Sequence, residues 1–280
     1  MSKKYLKNVK DIKHLVTSGC SFSDNIEHPE DAFYGKWPNF VAKRINAKLY
    51  NKGQASCGND WISKSVIYET QQLLDEGILP QNILVMVMWS GIDRKGKFIS
   101  KQETDKFESL VNFGGQPNPI NFIDYDVNQN APWATESGYL VGSLNCDFKN
   151  NNINTLKKEL FKNITDEELA IESYEHFLRV QWFCKSNNIK LINLTFMDIM
   201  HYPEYSTGPL TGDFYKNVKH LYDMIDFSNW IFWNQTGGIY EYTKDMKLAF
   251  YPGDSHPTAV SHLHYVDCFL IPKLKTLSIL

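Results

Sequence analysis

Leu15-Val-Thr-Ser-Gly-Cys-Ser-Phe-Ser-Asp24 is the stretch on which the reading of the whole chain depends. His14 to Ser18 has the length and β-branched content of a buried strand, and Gly19 permits a sharp turn that lifts the next residues out at the strand's C-terminal end. Ligands of open α/β sheets bind at that end. Two readings of the turn stand side by side: Ser21 is a nucleophile facing a cleft, or the serines and Asp24 cap the helix that follows.

The same strand, loop, helix grammar recurs downstream. Ala47 to Asn51 is a short strand, Lys52 to Asp60 a glycine-punctuated loop, and Trp61 to Glu76 a helix. Ile83 to Trp89 is the most apolar run in the chain and does not alternate, which predicts a central parallel strand covered on both faces. It ends at Ser90-Gly91-Ile92-Asp93-Arg94, and Ile189 to Phe196 supplies a fourth core strand. Between strands, Phe33, Trp37, Phe40, Val41 and Ile45 recur at helical spacing, with Pro38 near that helix's start. Thr165-Asp-Glu-Glu168 is a capping box opening another helix, residues 213–225 have helical character, and a last helix follows Pro257. The expected fold class is α/β: a three-layer α/β/α sandwich around a mainly parallel sheet. One domain spans 1–280. Residues 95–163, rich in Gly, Pro and Asn with a single helical segment near 104–111, form a long insertion or lid after the third strand.

Composition narrows the partners. The 280 residues carry 42% hydrophobic and 22% charged side chains and a net charge of −3, which offers nucleic acid no basic face. No apolar run approaches the ~20 residues of a membrane span, and the run after Lys3, Lys4, Lys7 and Lys10 is too short for a signal peptide, so a cytoplasmic location is expected. Five scattered cysteines without a Cys-x-x-Cys spacing read as reduced thiols.

Serine hydrolysis needs a hydroxyl, a base that can reach it, a group that orients the base, and donors aimed at the developing oxyanion. Ser21 lies near one end of the chain; Asp254 and His256 lie together near the other. In this order the blocks resemble the SGNH (GDSL-type) hydrolase family. Gly19-Cys20-Ser21-Phe22-Ser23 looks like its first block, Asn51-Lys52-Gly53 like its second, Val85 to Asp93 sits at its third, and Asp254-Ser255-His256-Pro257 looks like its fifth. Gly-Cys-Ser-Phe and Asp-x-His-Pro blocks of this kind resemble phage-encoded members. The resemblance implies a flavodoxin-like sheet, Ser21 as nucleophile, His256 as base, Asp254 as its partner, the amides of Ser21 and Gly53 as oxyanion donors, and no cofactor.

Three departures accompany it. Cys20 replaces the usual Asp. Ser90-Gly91-Ile92-Asp93 lacks the asparagine that would donate to the oxyanion, leaving Ser90 or Arg94 as replacement, Arg94 being the stronger as a charged donor. A single residue, not two, separates Asp254 from His256. The expectation is a serine esterase acting on a small acyl ester, such as an O-acetyl group on a carbohydrate; the alternative is a binding or structural protein whose oxyanion site has decayed. Three further readings carry less weight: Cys20 as the nucleophile, His256, His262, His264 and Asp254 as a metal cluster, and Trp61, Trp89, Trp133, Tyr139, Trp230 and Trp233 as a sugar-stacking wall. His262 is expected to pack behind the active-site loop, as the family pattern implies.

Overall fold

A computed structural model describes residues 12–24, 35–54, 57–92, 94–99, 122–124, 138–143, 164–200 and 213–280. Four strands, β1 (His14–Gly19), β2 (Lys48–Asn51), β3 (Ile83–Trp89) and β7 (Lys190–Thr195), form one sheet in the order β2-β1-β3-β7, every pair parallel. The fold is therefore α/β with a parallel sheet, as the sequence predicts. All seven residues of β3 are buried, which is why that run carries no polar alternation.

Helices join the strands. α1 (Trp37–Ile45) has Pro38 in its first turn, buries Trp37, Pro38, Val41 and Ala42, and ends at Asn46 in the left-handed region (φ 53°). α2 (Asn59–Asp75) packs on β1 and β3, and α3 (Asp166–Ser186) packs on α2. The predicted capping box is present at its N-terminal half: Thr165 Oγ1 accepts from the Glu168 amide at 3.1 Å. Further along lie α4 (Asp213–Tyr222), α5 (Ile239–Asp245) and α6 (Ala259–Tyr265), the last running through a π-helical turn (Val266–Leu270) into α7 (Ile271–Thr276). α1 packs against α6, and Arg44 holds the carboxylate of Asp267 through two bonds of 2.7 and 2.6 Å.

The chain leaves β1 to form β2 on one side and then crosses to form β3 on the other. A crevice opens at such a reversal, beyond the C-terminal end of β1. Residues 20–24, 52–54, 57–58, 90–92 and 196–200 all follow strand ends on this edge.

Within the stretch expected to be an insertion, β4 (Arg94–Ile99), β5 (Phe122–Asp124) and β6 (Gly138–Ser143) form an antiparallel sheet in the order β4-β6-β5. The sequence reading has no strands here, because Arg-Lys-Gly-Lys-Phe-Ile lacks both an apolar run and a clear alternation. The backbone ladder with Gly138–Ser143 supplies what the side chains do not announce. The helix expected near 104–111 lies outside the described residues. Trp61, Trp89 and Trp230 sit in the core at 8%, 0% and 7% exposure, so these three are packing residues and not a sugar-stacking wall. Trp89 makes the point best, its indole N–H bonded to Asn193 Oδ1 at 2.9 Å and its ring 4.5 Å from that of Phe177. Trp133 and the side chain of Tyr139 lie outside the described residues.

Candidate active site

After Gly19 the backbone folds into a tight turn, with the amides of Ser23 and Asp24 both donating to the Cys20 carbonyl at 2.8 and 3.2 Å. Gly19 has to be a glycine, since a Cβ there would sit 2.2 Å from Ser23 Oγ and 2.9 Å from the Met88 carbonyl oxygen. The turn sends Cys20 into the core and Ser21 the other way. Of the two, it is Ser21 that meets the imidazole, its Oγ lying 2.7 Å from His256 Nε2.

Asp254 and His256 share a loop that closes on itself. Phe250 bridges Pro257, the Tyr251 amide donates to the His256 carbonyl at 2.9 Å, and the Asp254 amide donates back to the Tyr251 carbonyl at 3.0 Å. Gly253, at φ +73°, supplies the left-handed residue the turn requires. In this tight turn Asp254 Oδ1 meets His256 twice, at its backbone amide (3.1 Å) and at Nδ1 (2.5 Å). The one-residue interval therefore suffices. Burial pushes the Asp254 carboxyl upward, but the hydrogen bond and charge of His256 and the amides of His256 and Ser255 outweigh it, so its pKa lies below the ordinary value and it is ionised at neutral pH. An ionised carboxylate only accepts, so Nδ1 carries a proton, and in the neutral imidazole Nε2 is then the nitrogen that accepts from the Ser21 hydroxyl. Phe22 supports the imidazole at a ring distance of 4.7 Å and is itself packed edge-on against Phe196 at 5.0 Å.

The expected oxyanion donors are placed unequally. Gly53 lies directly against the nucleophile turn, where a Cβ would be 2.8 Å from the Ser23 carbonyl carbon, and its amide donates to Asn51 Oδ1 at 3.0 Å. Ser90 is fully buried; Asn59 clamps its backbone, accepting from the amide at 2.9 Å and donating to the carbonyl at 3.2 Å. Its hydroxyl makes no hydrogen bond among the described residues. Arg94 is half-buried, its guanidinium 5.4 Å from the centre of the Phe196 ring. Of the two side chains, Arg94 is the more exposed, although its Nη1 is buried.

Several contributors carry no sequence motif. Asn51 ties the first two loops together: Nδ2 donates to the Ser23 carbonyl at 2.7 Å, while Oδ1 also accepts from Thr17 Oγ1 at 2.9 Å. Trp37 Nε1 donates to Ser23 Oγ at 2.9 Å, and Lys36, fully buried, donates from Nζ to the Ser21 carbonyl at 2.7 Å. A lysine followed by Trp-Pro is the only trace of this in the sequence. His262 is also fully buried, as expected of a residue behind the loop. Burial first, then the charges of Lys36 and His256, holds its pKa well below the ordinary value, so it is neutral, and neither ring nitrogen has a partner among the described residues. His264 turns elsewhere, with Nδ1 2.7 Å from the Tyr242 hydroxyl. Among the described residues no three His, Cys, Asp or Glu side chains gather as a metal-holding set, and no helix is long and apolar enough to cross a membrane.

No protein-family model and no curated protein sequence matches the chain. What can be said of its chemistry rests on the geometry above.

Proposed function

We propose that the protein is a serine ester hydrolase of the SGNH (GDSL-type) kind, working through an acyl-enzyme. The observation that carries this reading is the chain of contacts from Ser21 Oγ to His256 Nε2 (2.7 Å) and from His256 Nδ1 to Asp254 Oδ1 (2.5 Å). Ser21 Oγ adds to the ester carbonyl carbon and passes its proton to Nε2; Asp254 stabilises the imidazolium; the alcohol leaves with that proton; and water, activated the same way, releases the acid. The tetrahedral oxygen faces the Ser21 amide and the Gly53 amide. The latter turns from Asn51 because a charged oxygen is the better acceptor, and Arg94 takes the place of the missing asparagine.

The pairing of α1 with α6 and of α2 with α3, about a centre strand buried throughout, supports the three-layer arrangement of that family. Ser21 is only 3% exposed, which suits a small acyl group such as acetyl entering a narrow slot, with a carbohydrate as the leaving alcohol. The bond between Gly53 and Asn51 favours a second reading, a binding protein whose oxyanion site no longer opens. A chromogenic acetyl ester and a fluorophosphonate probe separate the two. The esterase hydrolyses the ester and labels at Ser21, and Ser21→Ala abolishes both; equal rates in wild type and Ser21→Ala, with no labelling, refute it.

A further inference from the structure

β7 supplies none of the three residues proposed to do the chemistry, yet a ring just beyond its end is one contact from the base. Phe196 follows the last residue of the strand, is buried, and has its backbone tied in both directions. Its amide donates to the Trp89 carbonyl at 3.4 Å, and its carbonyl accepts from the Tyr240 amide at 2.9 Å. The buried ring of Phe22 packs edge-on against it at 5.0 Å and lies obliquely on the His256 imidazole, ring centres 4.7 Å apart and planes at 40°. Phe22 immediately follows Ser21. The serine and the ring set against its base therefore ride on one turn, closed by the amides of Ser23 and Asp24 on the Cys20 carbonyl.

The bond from Nδ1 to Asp254 Oδ1 fixes one atom of the imidazole. The ring plane can still swing about that atom, and a side chain packed on the ring resists the swing, because moving would forfeit close contacts. Nε2 has two tasks in turn: it takes the proton of Ser21 Oγ, and later that of a water. During the first task the Ser21 hydroxyl itself holds Nε2, at 2.7 Å. In the acyl-enzyme Oγ carries the acyl group and has no proton to donate, so that hold is lost. The contact with Phe22 does not depend on that proton.

We propose that Phe22, backed by Phe196, is a positioning residue for His256 that serves chiefly the second half of the reaction, keeping Nε2 turned toward the attacking water once Ser21 is acylated. This rests on the serine-esterase reading. In that half the water oxygen bonds to the acyl carbon, the carbonyl π pair moves to oxygen, and the water's proton goes to Nε2. The pair then returns, the bond from the acyl carbon to Ser21 Oγ breaks, and Nε2 gives its proton to Oγ.

Phe22→Leu and Phe22→Met each keep apolar bulk and remove the ring. Phe196 is left in place, because the Arg94 guanidinium also lies over it, at 5.4 Å. The substrate is an activated acetyl ester, whose alcohol leaves easily so that release of acetate limits turnover. With it kcat per fluorophosphonate-titrated site should fall at least about tenfold, toward the ~100-fold that a small misplacement costs, while kcat/KM, which reports acylation, falls less than about threefold. A burst of alcohol equal to the titrated sites should precede the slow phase. A residue needed only for folding would lower the number of titrated sites and leave kcat per site unchanged. A kcat per site within about threefold of wild type in either folded variant, or a kcat/KM that falls as far as kcat, overturns the proposal. Proton NMR of the wild type keeps the test open if both variants misfold: through-space cross-peaks should join the Phe22 and His256 rings, the latter assigned with His256→Gln, and their absence overturns the proposal as well. A wild type that neither hydrolyses nor labels overturns the esterase reading instead. The cross-peaks then still decide whether Phe22 holds the imidazole.

Discussion

His262 should make the fold acid-sensitive in a way that one substitution removes. Its imidazole is fully enclosed and has no hydrogen-bond partner among the described residues, so burial first, with Lys36 and His256 disfavouring a further positive charge beside them, holds it neutral in the folded protein, well below its ordinary pKa of 6.5. In the unfolded chain it protonates at about 6.5. Between the unfolded and folded values the unfolded state therefore binds one more proton, and stability falls as pH falls through that window. One proton is worth at most about 1.4 kcal/mol per pH unit, so below pH 6.5 stability falls toward that slope through this residue alone, for as long as the folded protein keeps the imidazole neutral. His262→Leu has nearly the same bulk and no proton to take up. At pH 7.5 it should be as stable as wild type or more so, because it also removes polar atoms that are buried without partners among the described residues. Urea unfolding of both proteins at half-unit steps from pH 7.5 to 5.0 gives the difference directly, since groups common to both cancel. The two curves should diverge below about pH 6.5, with wild type falling faster. Parallel curves, or a leucine variant less stable by more than about 2 kcal/mol at pH 7.5, would show that the imidazole has a partner or a charge, and the reasoning fails.

Two further substitutions probe the site from other sides. Asp254→Asn keeps the size of the carboxylate but can present its N–H₂ to Nδ1, turning the imidazole to the tautomer that cannot accept from Ser21; kcat should fall on the order of 10³–10⁴-fold with the fold unchanged by circular dichroism. Gly53→Ala places a Cβ 2.8 Å from the Ser23 carbonyl carbon, backbone against backbone. It should destabilise the protein by about 1–3 kcal/mol in urea and slow fluorophosphonate labelling of Ser21, since the turn that carries the serine is the part that must yield.

What could be read in the sequence was what the chain advertises locally. Ile83 to Trp89 is apolar without interruption because both its faces are covered, and Thr165 announces a helix with its own side chain. Ser21, Asp254 and His256 were legible from their order and their neighbouring glycines and proline, and the structure brings the three together. The partners of these residues were not legible, for a physical reason in each case. Lys36 stands between Gly35 and Trp37, but a lysine ordinarily means surface, and only the left-handed turn at Gly35 and the docking of α1 carry it inside. Asn51 and Asn59 look like loop residues, yet their amides join loops that meet only when the sheet is assembled. The antiparallel β4-β6-β5 sheet is held by backbone pairing between separate segments, Arg94 pairing as far away as Ser143, which leaves no periodic trace.

The loop that joins Asp254 to His256 divides the Ser21–His256–Asp254 chain of contacts into two joints of very different reach. One joint is set by a closed turn a few residues long. The other, between His256 and Ser21, spans 235 positions and depends on β1, α1 and the C-terminal helices all being seated. Mild denaturant should thus leave Asp254 and His256 still paired while drawing Ser21 away, so that the serine goes quiet toward its probe before the sheet melts. In that sense the hydroxyl of Ser21 is a gauge of whether the two ends of the chain have met.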